Sequence, residues 1–296
     1  MAPALVPDIP DVVLPMPRNA FLPDDWAVPT QAVGLPAVPD DADDLARYRW
    51  WVGHQLAFCV WRMLSESLTS ITRAERPSSS LVDAATVLYD AYSVLLLYTG
   101  SCSPEVYSRT IRPAMAAAHP AFSGRWARDY EPIPPLMRVL RRTRPSAAVD
   151  RLVAAGHVSQ LVHRAIGKRL IPDSPSLLKL HGHDPGQPVS DAERDVFDAF
   201  FLLTRKDMTR RAFDAEVDML TVAVTTDLTE RPLDESAGTP DAPSPHAAAT
   251  IALRRDSVAI LRRLPSPFSL TEGHSSDRPE DHRDERPSLR LPVSTK

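Results

Sequence analysis

The chain has 296 residues, 43% of them hydrophobic and 24% charged, with a formal net charge of −4. There is ample material for a real core, and scattered Lys and Arg without a basic patch exclude a nucleic-acid platform. Thirty prolines against ten glycines leave little scope for Gly-rich phosphate loops, and two cysteines, Cys59 and Cys102, do not make a disulfide framework. The longest aliphatic run, Val94 to Leu97, is too short to cross a bilayer. Nothing upstream resembles a signal peptide, so the expectation is a cytoplasmic protein with no membrane partner.

Residues 1 to 42 hold nine prolines among apolar residues such as Val12, Leu14, Phe21 and Trp26, which predicts an extended arm packed on the core. Residues 43 to 231 read as helix. Asp43 to about Ile71 concentrates three of the five tryptophans around His54. Leu81 to Tyr98 is apolar on several faces and ends at Gly100. Ser103-Pro104 opens a helix expected to run to about Ala118. Ser146 caps a helix through His157 and His163 that stops before Pro172. Ser190-Asp191-Ala192-Glu193 is a capping box for a helix carrying Phe197, Phe200 and Phe201, with further helix to about Leu228. No strand or repeat is evident, and the fold class is all-α, a helical bundle. Residues 232 to 296, with nine more prolines, predict a mostly disordered tail around a weakly helical Ala247 to Leu264. His246, His274 and His282 there lack a scaffold.

The common catalytic motifs are missing: there is no phosphate loop, no Gly-x-Ser-x-Gly, no His-Glu-x-x-His, no Cys-x-x-Cys and no Glu-x-x-His. What remains is histidine inside helices. At 3.6 residues per turn, Trp50, His54, Ala57, Phe58 and Trp61 share one face, so an imidazole stands in an aromatic wall suited to something flat. His157 and His163 are six residues apart, about 240° around the axis, so one flat group cannot lie against both. His163 has the small Ser159 and Gly167 one turn to either side, and His157 has Ala154 and Leu161. Either neutral imidazole is a competent axial ligand for haem iron, and either is equally at home as a packed core histidine. Arg125 and Arg128 flank Trp126 after a Ser-Gly turn and could clamp a carboxylate, or could serve as surface ion pairs. His181 and His183 make at most a weak metal clip.

These segments together resemble the histidine-ligated haem aromatic oxygenases, the superfamily of tryptophan 2,3-dioxygenase. Val52-Gly53-His54-Gln55 followed by Trp61 is similar to that family's distal helix. Val162-His163-Arg164-Ala165-Ile166-Gly167 is similar to the segment beside its proximal ligand, and Phe122-Ser123-Gly124 to its carboxylate-gripping region. The dioxygenases' Gly-Thr-Gly-Gly loop is replaced by Leu170-Ile171-Pro172-Asp173-Ser174-Pro175, and the layout is closer to the bacterial haem-dependent L-tyrosine 3-hydroxylases of antibiotic pathways. The resemblance implies a bundle enclosing haem b, with His163 or His157 on the iron and Trp50 and Trp61 beside the macrocycle. It further implies L-tyrosine as substrate, hydrogen peroxide as oxidant and L-DOPA as product. His54 would be the acid–base catalyst, Arg125 or Arg128 would hold the carboxylate, and Phe58 would form an apolar wall. Open alternatives are a dioxygenase of tryptophan or another indole, and a helical scaffold or carrier without catalysis. A homodimer is compatible with either.

Overall fold

The computed structural model describes residues 9–17, 19–26, 34–143, 145–172, 175–182, 187–233 and 245–266, without the side chains of 245–247. The protein is mostly helical. A long first helix, α1 (Ala42–Arg73), lies against α2 (Ser79–Thr99), which in turn packs on α6 (Ala147–Leu170). Each start is set by a side-chain cap. Asp41 accepts from the backbone N–H of Asp43 and Asp44, Ser78 from Leu81, and Ser146 from Val149. Around this pair of contacts stand α3 (Pro104–Arg109), α4 (Ile111–Ala118), α5 (Ile133–Thr143), α7 (Leu177–Leu180), α8 (Asp191–Phe200) and α9 (Arg210–Glu230). After them come α10 (Pro245–Arg255) and α11 (Ser257–Leu261), packed on α2.

Three departures from the sequence expectations have physical causes. The helix opened by Ser103 breaks at Thr110 into α3 and α4, because Pro113 has no N–H and its ring opposes the carbonyl of Arg109. The helix from Ser190 stops at Phe200, where Leu202 takes φ +56°, a left-handed conformation costly for a branched side chain. Strand is also present. Val12–Leu14 (β1) pairs in parallel with Leu203–Arg205 (β2), Val12 opposite Leu203, with Val12 and Leu14 wholly buried. The arm is held further by Arg62, which donates to the carbonyls of Met16 at 2.8 Å and Asn19 at 2.7 Å. In the C-terminal region two helices form where weak helical character was expected. The remainder of the expected disordered tail, with His274 and His282, lies outside the described residues.

Two interactions fix α1. Arg49 makes a two-pronged ion pair with the buried Asp227 of α9, at 2.7 and 3.0 Å, and also donates to the carbonyl of Arg231. At Gly53 the backbone of α1 comes so close to α2 that an added Cβ would stand 2.5 Å from Thr99 Cγ2 and 2.8 Å from Tyr98 Cδ1. By length and composition α2 is apolar enough to cross a membrane, beyond what its longest aliphatic run suggested; here it is the central helix of the bundle.

Gly53→Ala should therefore force α1 and α2 apart and lower stability by about 1–3 kcal/mol, the usual range for overpacking a tight contact. Thermal unfolding of the variant beside the native chain measures this, and an unchanged midpoint would mean the helices separate freely.

Candidate active site

Between α1, α2, α6 and the segment leading into α5 lies a cavity of about 780 Å³, within the range of small-molecule and cofactor sites. His54, Ala57 and Trp61 of α1 form one side, Tyr92, Leu95, Leu96 and Thr99 of α2 another, and His163 of α6 faces in beside them. The mouth is bordered by Arg125 of the short turn Gly124–Trp126, by Tyr130 and Glu131, by Arg138 of α5 and by Arg194 of α8, while Phe197 of α8 lines the aromatic side.

His54 is the most constrained of these side chains. Its Nδ1 lies 2.6 Å from the carbonyl of Trp50, one turn back. A carbonyl can only accept, so Nδ1 carries the proton and Nε2 keeps its lone pair. The ring stacks on Phe201 at 4.4 Å, 21° from parallel, and touches Trp50 at 4.5 Å. Burial in this apolar setting lowers its pKa from 6.5 to about 4, against the Trp50 hydrogen bond and with a smaller push from His163. Desolvation where it lines the cavity lowers the His163 pKa as well, although the residue keeps an exposed face. Both imidazoles are thus neutral at pH 7, and His163 has no hydrogen-bond partner among the described residues.

Phe201 is placed by polar contacts beneath it. Gln55, the neighbour of His54, donates through Nε2 to the carbonyls of Phe201 and Pro10, both at 3.2 Å. Trp51 Nε1 donates to the carbonyl of Phe200 at 2.7 Å. The strained Leu202 follows directly, where the chain turns from α8 into β2.

The candidate residues divide between cavity and surroundings. His54, Trp61, Arg125 and His163 meet in the cavity; Trp50, Phe58, Arg128 and His157 lie outside it. Trp50 stands behind His54, against Tyr107. Phe58 is wholly buried among Trp61, Phe197 and Phe201, because the α1 face it shares with His54 is wider than the cavity. Exposed His157 is turned away by the same angular offset from His163 that its spacing dictates. Arg128 is engaged by Asp198 at 2.5 Å and Asp195 at 2.7 Å, and Asp198 is shared with Arg205, itself paired to the buried Asp129 at 2.6 Å. Its guanidinium anchors the wall rather than facing the cavity. His181 is exposed and bonded to the Leu177 carbonyl, and His183 lies outside the described residues.

Residues that sequence reasoning passed over complete the lining. Tyr92 and Tyr130 both meet Trp61 edge-on, at 5.2 and 5.4 Å. Arg138 and Arg194 bring further positive charge, and Glu131 is the sole acidic side chain among the described lining residues. Arg194 pairs with Glu131 at 3.1 Å and Asp191 at 3.0 Å. Neither Arg125 nor Arg138 has an ion pair or side-chain hydrogen bond among the described residues.

These groups fit an iron porphyrin. The donor set offers a neutral imidazole that could ligate iron and aromatic walls that could flank a flat group, with Arg125 and Arg138, which have no ion pair among the described residues, able to meet propionates. Residues 15–156 match the family model described as SfmD 3-methyl-L-tyrosine peroxygenase, just under half of the chain. The family so described is a peroxygenase, an enzyme that uses peroxide, acting on an aromatic amino acid. It includes His54, Trp61, Tyr92, Arg125 and Arg138 and ends before His163. No curated protein matches the chain.

The lowered histidine pKa values carry a sign. Unfolded His54 takes a proton near 6.5 and folded His54 only near 4, so the unfolded state binds more protons between them and stability falls on acidification through that window. Urea unfolding of cofactor-free protein should register this loss, with His54→Gln losing less over the same interval. Equal losses would mean that His54 protonates freely in the folded state.

Proposed function

We propose that this chain is a haem- and hydrogen peroxide-dependent hydroxylase of a free aromatic amino acid, converting L-tyrosine to L-DOPA in secondary-metabolite biosynthesis. The observation that carries the proposal is the pairing of two neutral imidazoles across one aromatic-walled cavity with unpaired guanidiniums at its mouth. The family description supports a tyrosine ring as substrate and makes 3-methyl-L-tyrosine the first alternative to L-tyrosine.

In this account His163 holds the iron of a b-type haem. The haem, when bound, supplies the iron chemistry that cleaves peroxide and transfers one oxygen to the ring, leaving water. His54 manages the protons. Its Nε2 lone pair accepts a proton from hydrogen peroxide and returns it to the departing oxygen, while Nδ1–H stays tied to the Trp50 carbonyl and holds the ring in place. A pKa near 4 keeps that lone pair free at neutral pH. Trp61, Tyr92 and Phe197, all buried, keep bulk water from the reacting ring. Arg125 or Arg138 binds the amino-acid carboxylate.

Hemin-reconstituted protein should show the intense visible absorption of a histidine-ligated haem, and with peroxide labelled in oxygen-18 should place one labelled atom on tyrosine. His163→Ala should lose stoichiometric haem. His54→Ala should keep it and lose about 10²–10⁴-fold in turnover. A colourless native preparation would point to a carrier or scaffold. Turnover of tryptophan with dioxygen, but not of either tyrosine with peroxide, would move the chain to the indole dioxygenases.

A further inference from the structure

The cavity has a direction. Its inner end is His54, Trp61, Tyr92 and Phe197, each ring buried or tightly flanked, and its outer end is charged. Glu131 belongs to the outer end. It lines the cavity and also the adjoining surface groove formed with Met16, Pro17 and Asn19, and its side chain is 53% exposed. Glu131 pairs with Arg194 and shares the cavity lining with Arg125 and Arg138, whereas a site built only for anions would exclude a carboxylate.

We infer that Glu131 receives the α-ammonium group of the substrate and makes the site selective for free amino acids over the corresponding des-amino acids. This rests on the hydroxylase reading above and extends it to a specificity-determining residue. An aromatic amino acid that inserts its ring toward His54 leaves its zwitterionic end at the mouth, where cations and one anion stand side by side. The charges also balance. Among the described lining residues, three guanidiniums and one carboxylate would meet two propionates, one substrate carboxylate and one ammonium. Glu131 is held by Arg194 at 3.1 Å, and Arg194 has a second partner in Asp191 at 3.0 Å, so Glu131 can be shared with a ligand without leaving Arg194 unpaired. The neighbouring Tyr130, packed on Trp61, keeps the backbone of this corner fixed against the aromatic wall.

The test is equilibrium dialysis of the haem-loaded protein with labelled L-tyrosine and with 3-(4-hydroxyphenyl)propanoate, which lacks only the amino group. The native protein should bind tyrosine roughly 10- to 100-fold more tightly, the range of a hydrogen bond to a charged group. Glu131→Gln should bring the two to about the same affinity by weakening tyrosine alone, and Glu131→Asp should restore part of the preference. Haem content and thermal midpoint of each variant report whether the mouth remains folded. Equal affinity for the two ligands in the native protein, or equal weakening of both by Glu131→Gln, would overturn the inference while leaving the hydroxylase reading intact. Binding of neither ligand would overturn both.

Discussion

The contact between α1 and α2 at Gly53 is the constraint on which the site depends. Because no side chain separates the two helices there, the backbone carrying His54 is held against Thr99 and Tyr98. The cavity then opens on the flank of that contact, lined by residues one and two turns away on both helices. His54 inherits a fixed origin, and its hydrogen bond to the Trp50 carbonyl fixes the remaining rotation. Stacking on Phe201 removes water from the ring, which is why the imidazole stays neutral well below its ordinary titration range. Backbone packing, tautomer and protonation state follow from one close approach.

Charged residues in this protein divide by whether they hold the wall or face the cavity. Arg128, Arg205, Asp129 and Asp198 form a shared network that ties the 127–130 turn to α8 and β2, with the side chain of Asp129 fully enclosed. Such a network has all its partners internally and little to offer a ligand. Arg125 and Arg138 are the opposite case, cations brought to the cavity without a carboxylate partner among the described residues. Leaving them unmatched costs little where they stay solvated, and keeps their charge available at the cavity.

Much of the helical scaffold was legible in the sequence because it is written in caps and periodicity. Ser103, Ser146 and Ser190 each accept the backbone N–H that a helix start leaves over. His54, Trp61 and His163 stood out because an imidazole or indole on a long helix has few ways to be placed. What escaped depended on distant partners. The β1–β2 pairing joins three residues on each side across most of the chain, too short to leave an alternating pattern. Tyr92 sits in a helix apolar all round, which hides the face that meets a cavity. Arg125 and Arg128 are three residues apart in one loop and look alike in sequence. Only the arrival of α8, with Asp195 and Asp198, engages one and leaves the other.

That short pairing also bears on the order of assembly. Parallel neighbours separated by some 190 positions close a very long loop, a high-contact-order step that is slow and comes after local helices have formed. Gln55 bridges the same junction, donating to Pro10 on the incoming segment and to Phe201 behind the imidazole. The β1 segment must therefore wait for β2, which lies much later in the chain. Until the two meet, His54 lacks its backing ring, so a change in the segment around Pro10 acts directly on the environment of an imidazole borne on another element.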